Sequence, residues 1–151
     1  MMNDEKLMRS ALREAKKSLL TKDVPVGCVI VKDGKIIARA HNEKEKNMLS
    51  IDHAEIRCIK SASKKLGHWR LHECTLYVTL EPCSMCAGAI INSRIGHVVF
   101  GAYDKERGAF GSKLDLTQFN LECRPEITGG ILKDECAELL SNFFAELRKK
   151  K

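Results

Sequence analysis

The stretch Thr75-Leu76-Tyr77-Val78-Thr79-Leu80-Glu81-Pro82-Cys83-Ser84-Met85-Cys86-Ala87-Gly88-Ala89-Ile90, followed by Val98-Val99-Phe100-Gly101, decides the architecture. Thr75 to Thr79 is a short, nearly continuous apolar run, which suits a central strand covered on both faces. Pro82 brings no N–H to a sheet, so the strand ends there. Small apolar residues then carry a helix from Cys83 through about Ser93. Val98 to Gly101 returns as a strand. Two strands separated by one helix imply a parallel pair with a right-handed crossover.

Outward from this unit, Leu7, Met8, Ala11, Leu12, Ala15 and Leu19 recur at helical spacing and predict an amphipathic helix over 4–20. Residues 26–32 and 35–40 read as strands joined at Asp33-Gly34, a hairpin turn signal. Residues 41–50 read as a polar loop. A second helix is expected from Asp52 or His53 to about Lys65, closed by Gly67, with Trp69 as a packing anchor. Residues 102–125 read as a long loop, the kind that in a compact domain is usually functional. A short strand at 126–128 and a last helix over 133–149 complete the chain. On that helix Cys136, Leu139, Leu140, Phe143, Phe144 and Leu147 form one stripe, which places both phenylalanines mainly in the core. The expected class is α/β, a three-layer α/β/α domain over 1–151 with a mixed central sheet of about five strands.

A chain of 151 residues, 44% hydrophobic and 30% charged, is long enough to bury a core without staples. No apolar run approaches the roughly 20 residues that span a bilayer. Met1-Met2-Asn3-Asp4-Glu5-Lys6 lacks the apolar core of a secretory signal, so a cytoplasmic location and no membrane are expected. Seven cysteines are an odd number for a disulfide framework. Cys83 and Cys86 read as metal ligands, and Cys28, Cys58, Cys74, Cys123 and Cys136 as small buried hydrophobes. The formal net charge of +6 suits a polyanionic partner without demanding one.

Chemistry concentrates at His53-Ala54-Glu55 and Cys83-x-x-Cys86. Both open helices, where the dipole and the unpaired N–H groups favour thiolates. One imidazole and two sulfurs give three ligands, and the open fourth position is the mark of a catalytic zinc. A structural zinc would need a fourth ligand, with Cys58, Cys74, His41, His68, His72 and His97 as candidates. Glu55, two residues past the ligand His53, is placed to take a proton from water and pass it to a ring nitrogen and a leaving amine. The H-x-E and P-C-x-x-C pair is the signature of zinc-dependent nucleobase deaminases.

His53-Ala54-Glu55-Ile56, Leu76 through Ile90, Ser93-Arg94-Ile95 and Val98 through Ala102 closely resemble the bacterial tRNA-specific adenosine deaminases of the cytidine/deoxycytidylate deaminase superfamily. The resemblance runs from Val24-Pro25-Val26-Gly27 to Phe143-Phe144. It implies a cytidine-deaminase-like fold, a homodimer, one Zn2+ per subunit, and adenosine-to-inosine conversion at the wobble position of an arginine tRNA. It places the metal on His53, Cys83 and Cys86 and the proton shuttle on Glu55. It puts Asn42, the backbone of Ala54, Val26 and Ile30 around the flipped nucleoside, and Asp104 at the tRNA anticodon loop; the outer ring, Phe144, reads in addition as a partial contact with the RNA. The family's usual Ala before the ligand His is Asp52 here. Asp52 reads first as a cap of the second helix, and second as a charge beside the zinc or a substrate phosphate. Two other functions fit the ligand set: a free guanine or cytidine-type deaminase, and a zinc-stabilised RNA-binding module without catalysis. The basic end, Arg148-Lys149-Lys150-Lys151, reads equally as a phosphate grip or a solvated tail.

Overall fold

The computed structural model describes residues 3–150; Met1, Met2 and Lys151, and with them the ends of the N-terminal and basic-tail readings, lie outside the described residues. Five strands form one mixed sheet in the order β2-β1-β3-β4-β5, with β1 Gly27–Lys32, β2 Lys35–His41, β3 Cys74–Leu80, β4 His97–Ala102 and β5 Glu126–Thr128. β1 is antiparallel to β2 and β3, whereas β3, β4 and β5 are mutually parallel. The hairpin between β1 and β2 turns through Asp33 and Gly34, both at positive φ (52° and 74°), the pattern of a type I′ turn.

The strands alternate cleanly. Val29, Val31, Tyr77 and Val99 face one layer with Met8, Ala11 and Cys136, carried by α1 (Asp4–Lys17) and α5 (Lys133–Lys149). Cys28, Ile30, Leu76, Val78, Val98 and Phe100 face the other with Ala54, Cys58, Ala87 and Ile90, carried by α3 (Ala54–Leu66) and α4 (Ser84–Asn92). Coverage of both faces is why the central strands read as unbroken apolar runs.

Several expectations shift. The first helix ends at Lys17 and continues as a 3-10 turn over Ser18–Thr21. The loop after β2 holds a short helix, α2 (Lys44–Asn47). Trp69 is not a buried anchor: it is half exposed, with the guanidinium of Arg70 4.3 Å and that of Arg94 5.3 Å from its ring centroid. Phe143 is only partly buried and Phe144 is 40% exposed; on α5 it is Cys136, Leu139 and Leu140 that pack into the core. Cys123 is half buried rather than core, and all seven cysteines are free. Among the described residues no helix is long and apolar enough to cross a membrane.

Candidate metal centre and active site

The parallel strands β3 and β4 end side by side, and the Glu81 N–H donates to the Ala102 carbonyl at 2.9 Å. Segments 81–86 and 104–112 therefore leave the same sheet edge, the carboxyl end where open α/β sheets build their sites. His53 and Cys83 occupy the residue just before α3 and α4, both with extended backbone (φ −73°, ψ 153° and φ −74°, ψ 176°). A polar side chain at such a position ordinarily accepts from the helix's own first-turn N–H groups. Neither does so here; both turn toward each other.

The His53 Nδ1 lies 3.5 Å from the Cys86 Sγ and 3.8 Å from the Cys83 Sγ. Ligands at about 2.3 Å (sulfur) and 2.0 Å (nitrogen) from one tetrahedral ion sit about 3.5–3.8 Å apart, so the donor set fits such an ion without rearrangement. Among the described residues no fourth His, Cys, Asp or Glu joins the group. The Cys58, Cys74, His41, His68, His72 and His97 alternatives are thus not assembled. His41 instead meets Ser18 and Glu43, and His97 meets Thr128.

The electrostatics favour a cation. Hydrogen bonding from Cys86, then from His53, holds Cys83 well below the usual thiol range, as a thiolate. The same bond to Cys83, together with burial, pushes Cys86 up, and bonding to Cys83 raises His53. A metal ion replacing the bridging protons favours the ionised form of both sulfurs. Glu55 sits in the first turn of α3, 4% exposed, and burial pushes its carboxyl up to about 7.

These groups open into a cavity of about 520 Å³ lined by His53, Glu55 and Cys83, and also by Val26 and Asn42. Asn42 is held at both ends: its Oδ1 accepts from the Ala54 N–H at 2.7 Å and its Nδ2 donates to the Val24 carbonyl at 3.0 Å. The Ala54 N–H is thereby engaged, and Ala54 itself is fully buried. Ile30 does not line the cavity. It is fully buried in the core on the α3/α4 face of the sheet, four residues along the chain from Val26. Phe143 and Phe144 line the cavity as an edge-to-face pair, centroids 5.3 Å apart. Asp104 also lines it, with Oδ1 accepting from the N–H groups of Glu106 and Arg107 at 3.1 Å each.

Asp52 does not cap α3. Its carboxylate takes the Asn47 amide at 2.7 Å and lies 3.9 Å from the Arg57 Nε, facing away from the metal ligands and cavity. The sequence reading also gave no role to Glu81 and Asp23. Glu81, 2% exposed, accepts from the N–H groups of Asp104, Phe110 and Ser112 at 3.1 Å each and from the Ser112 hydroxyl. Asp23, 1% exposed, accepts from the N–H groups of Glu45 and Lys46 and from the Thr21 hydroxyl. No local pattern announces such long-range pairings.

Comparison with known proteins agrees with this geometry. A model of the MafB19-like deaminases matches residues 2–148. The tRNA-specific adenosine deaminase of Bacillus subtilis (strain 168) is 51% identical over 154 residues, spanning 100% of this chain and 94% of that one. A solved structure from a study of A-to-I editing by tRNA:A34 deaminases at the wobble position of transfer RNA superimposes with a TM-score of 0.87. It is 39% identical, over 89% of this chain and 99% of that one. A guanine deaminase structure from Bacillus subtilis stands further off, with a TM-score of 0.65 and 31% identity over 80% and 88% of the two chains. By fold, ligand set and sequence, the chain belongs to the MafB19-like deaminases and, within them, to the tRNA-specific adenosine deaminase family.

Proposed function

We propose that this protein, as one deaminase domain, hydrolyses adenosine to inosine at the wobble position of an arginine tRNA, releasing ammonia. The observation that carries this reading is the buried Glu55 beside a three-ligand His/Cys/Cys group at the foot of one cavity. His53, Cys83 and Cys86 hold one Zn2+. The bound ion supplies Lewis acidity, which makes water a nucleophile near neutral pH.

Glu55 takes one proton from the attacking water and gives it to the adenine ring nitrogen next to C6 as the C–O bond forms; as the C6–N bond breaks, it takes the second proton from the new C6 hydroxyl and delivers it to the departing amine. A carboxyl raised by burial suits both halves of that relay. Adenosine plus water thus gives inosine plus ammonia. Asn42, clamped by Ala54 and Val24, orients the nucleoside, and Val26 packs against the base. Phe144 and Asp104 at the opening face the anticodon loop. A base in a loop is easier to extrude than one in a duplex, which favours this substrate. The protein acts in the cytoplasm as a homodimer.

The test is incubation of the purified protein with an anticodon stem-loop carrying a wobble adenosine. Inosine is expected. No inosine at high enzyme excess overturns the reading, and turnover of free guanine or a cytidine compound without RNA supports the free-base alternative.

A further inference from the structure

The cavity has a charged rim drawn from three separate segments. Lys22 follows the 3-10 turn after α1, Lys44 opens α2, and Arg107 lies in the loop after β4; all three are exposed and line the same cavity as His53 and Glu55. Among the described residues, none of the three side chains has a hydrogen-bond or ion-pair partner, whereas Lys46, Arg57 and Lys32 do.

The reason lies in how the neighbouring carboxylates are used. Asp23 and Glu81, both almost fully buried, accept backbone N–H groups of these segments rather than the cations carried on them. Asp104 likewise caps the turn that carries Arg107. Glu45 is a rim carboxylate with no partner among the described residues, and it partly offsets the cations. Gly108 completes the pin: a Cβ there would lie 2.4 Å from the Glu81 Cδ, so the loop seats directly on that carboxylate. A free cation on a loop fixed from below is preorganised for an anion, because the ordering cost is met in the unbound protein.

We infer that Lys44 and Arg107 form a two-sided clamp for the RNA phosphates flanking the target adenosine, with Asp23 and Glu81 as the positioning residues beneath them. The clamp rests on the RNA reading above and adds to it the residues that take the backbone. Arg107 presents a planar fork suited to a phosphate, and Lys44 a point charge.

The experiment measures inosine formation and affinity for the anticodon stem-loop across a salt series with the metal-loaded protein. Arg107→Ala and Lys44→Ala, both at exposed positions, are each expected to lower the slope of log affinity against log salt by roughly 0.7, the value of one single-strand phosphate contact. Arg107→Lys is expected to restore the slope. Glu81→Gln, with metal content unchanged, is expected to lose the Arg107 share, since an amide nitrogen cannot accept from the N–H groups that a second carboxylate oxygen takes. Wild type that forms inosine while both alanine variants keep the full slope overturns the clamp alone. A wild type that forms no inosine overturns the substrate reading and the clamp with it. A full slope in Glu81→Gln removes Glu81 as the pin.

Discussion

Two acids flank the same ligand histidine and are put to opposite uses. Asp52, just before His53, points back into a cluster with Asn47 and Arg57. Glu55, two residues after it, points into the cavity with its carboxyl raised by burial. Helical geometry makes the difference: the residue before the cap leaves along the incoming loop, whereas the second helical residue projects from the first turn. Glu55→Ala is therefore expected to retain stoichiometric metal and to lose about 10²–10⁴ in turnover, the usual share of a general acid–base group. Metal analysis alongside single-turnover kinetics checks both halves, and retained activity would remove Glu55 from the relay. Asp52→Ala removes the shorter of two acceptors from the Asn47 amide, which keeps Glu43 at 3.3 Å, and leaves Arg57 with Glu43 and the His41 carbonyl at 3.1 Å each. It is expected to cost about 0.5–1.5 kcal/mol of stability by denaturant titration, with turnover unchanged.

At the scale of elements, legibility followed the range of the interactions. The β3–α4–β4 unit was readable because its strand, proline and helix signals lie within a few residues of one another, and the two helix starts bearing His53 and Cys83 came with it. The short α2 was not, because it is held by Asp23 across 22 residues of chain rather than by its own propensity. The 102–125 segment read as loop for the same reason: its order comes from Glu81, 23 to 31 residues away from its partners. Along β1, Val29 and Ile30 point to opposite core faces and neither lines the cavity, which Val26 reaches from the residue just before the strand. The pinned loop is also where a small change is felt most. In Gly108→Ala the added methyl meets the Glu81 carboxyl at 2.4 Å and the Asp104 carbonyl at 2.5 Å. Such overpacking is expected to cost about 1–3 kcal/mol and to raise KM more than it lowers kcat, because it moves the rim and not the ligands. Unfolding and steady-state kinetics on the same preparation check it, and an unchanged KM would mean that the loop does not contact substrate.

On the scale of the whole molecule, a metal ion held by His53, Cys83 and Cys86 would tie α3 to α4 over the end of a sheet that is otherwise held by apolar contacts on both faces. Without it the apolar contacts remain, and Glu55 is buried without a cation beside it. Its carboxyl then titrates near 7 instead of the ordinary 4.5. The sign follows from proton binding: between those values the folded chain binds more protons than the unfolded one, so stability falls as pH rises. The Glu55 contribution is fully present below about 4.5 and lost as pH passes through about 7, on the order of 3 kcal/mol in all. Chelator-treated protein should therefore lose stability over that window. Glu55→Gln cannot ionise, so the difference between it and wild type isolates this one group from His53 and the two cysteines. Denaturant titrations of both proteins from pH 4.5 to 8 measure it directly. A difference that stays flat with pH would show that Glu55 is not buried as a neutral acid in the metal-free chain. Repeating the series with metal bound should shrink the slope, because a cation beside the carboxyl favours its charged form.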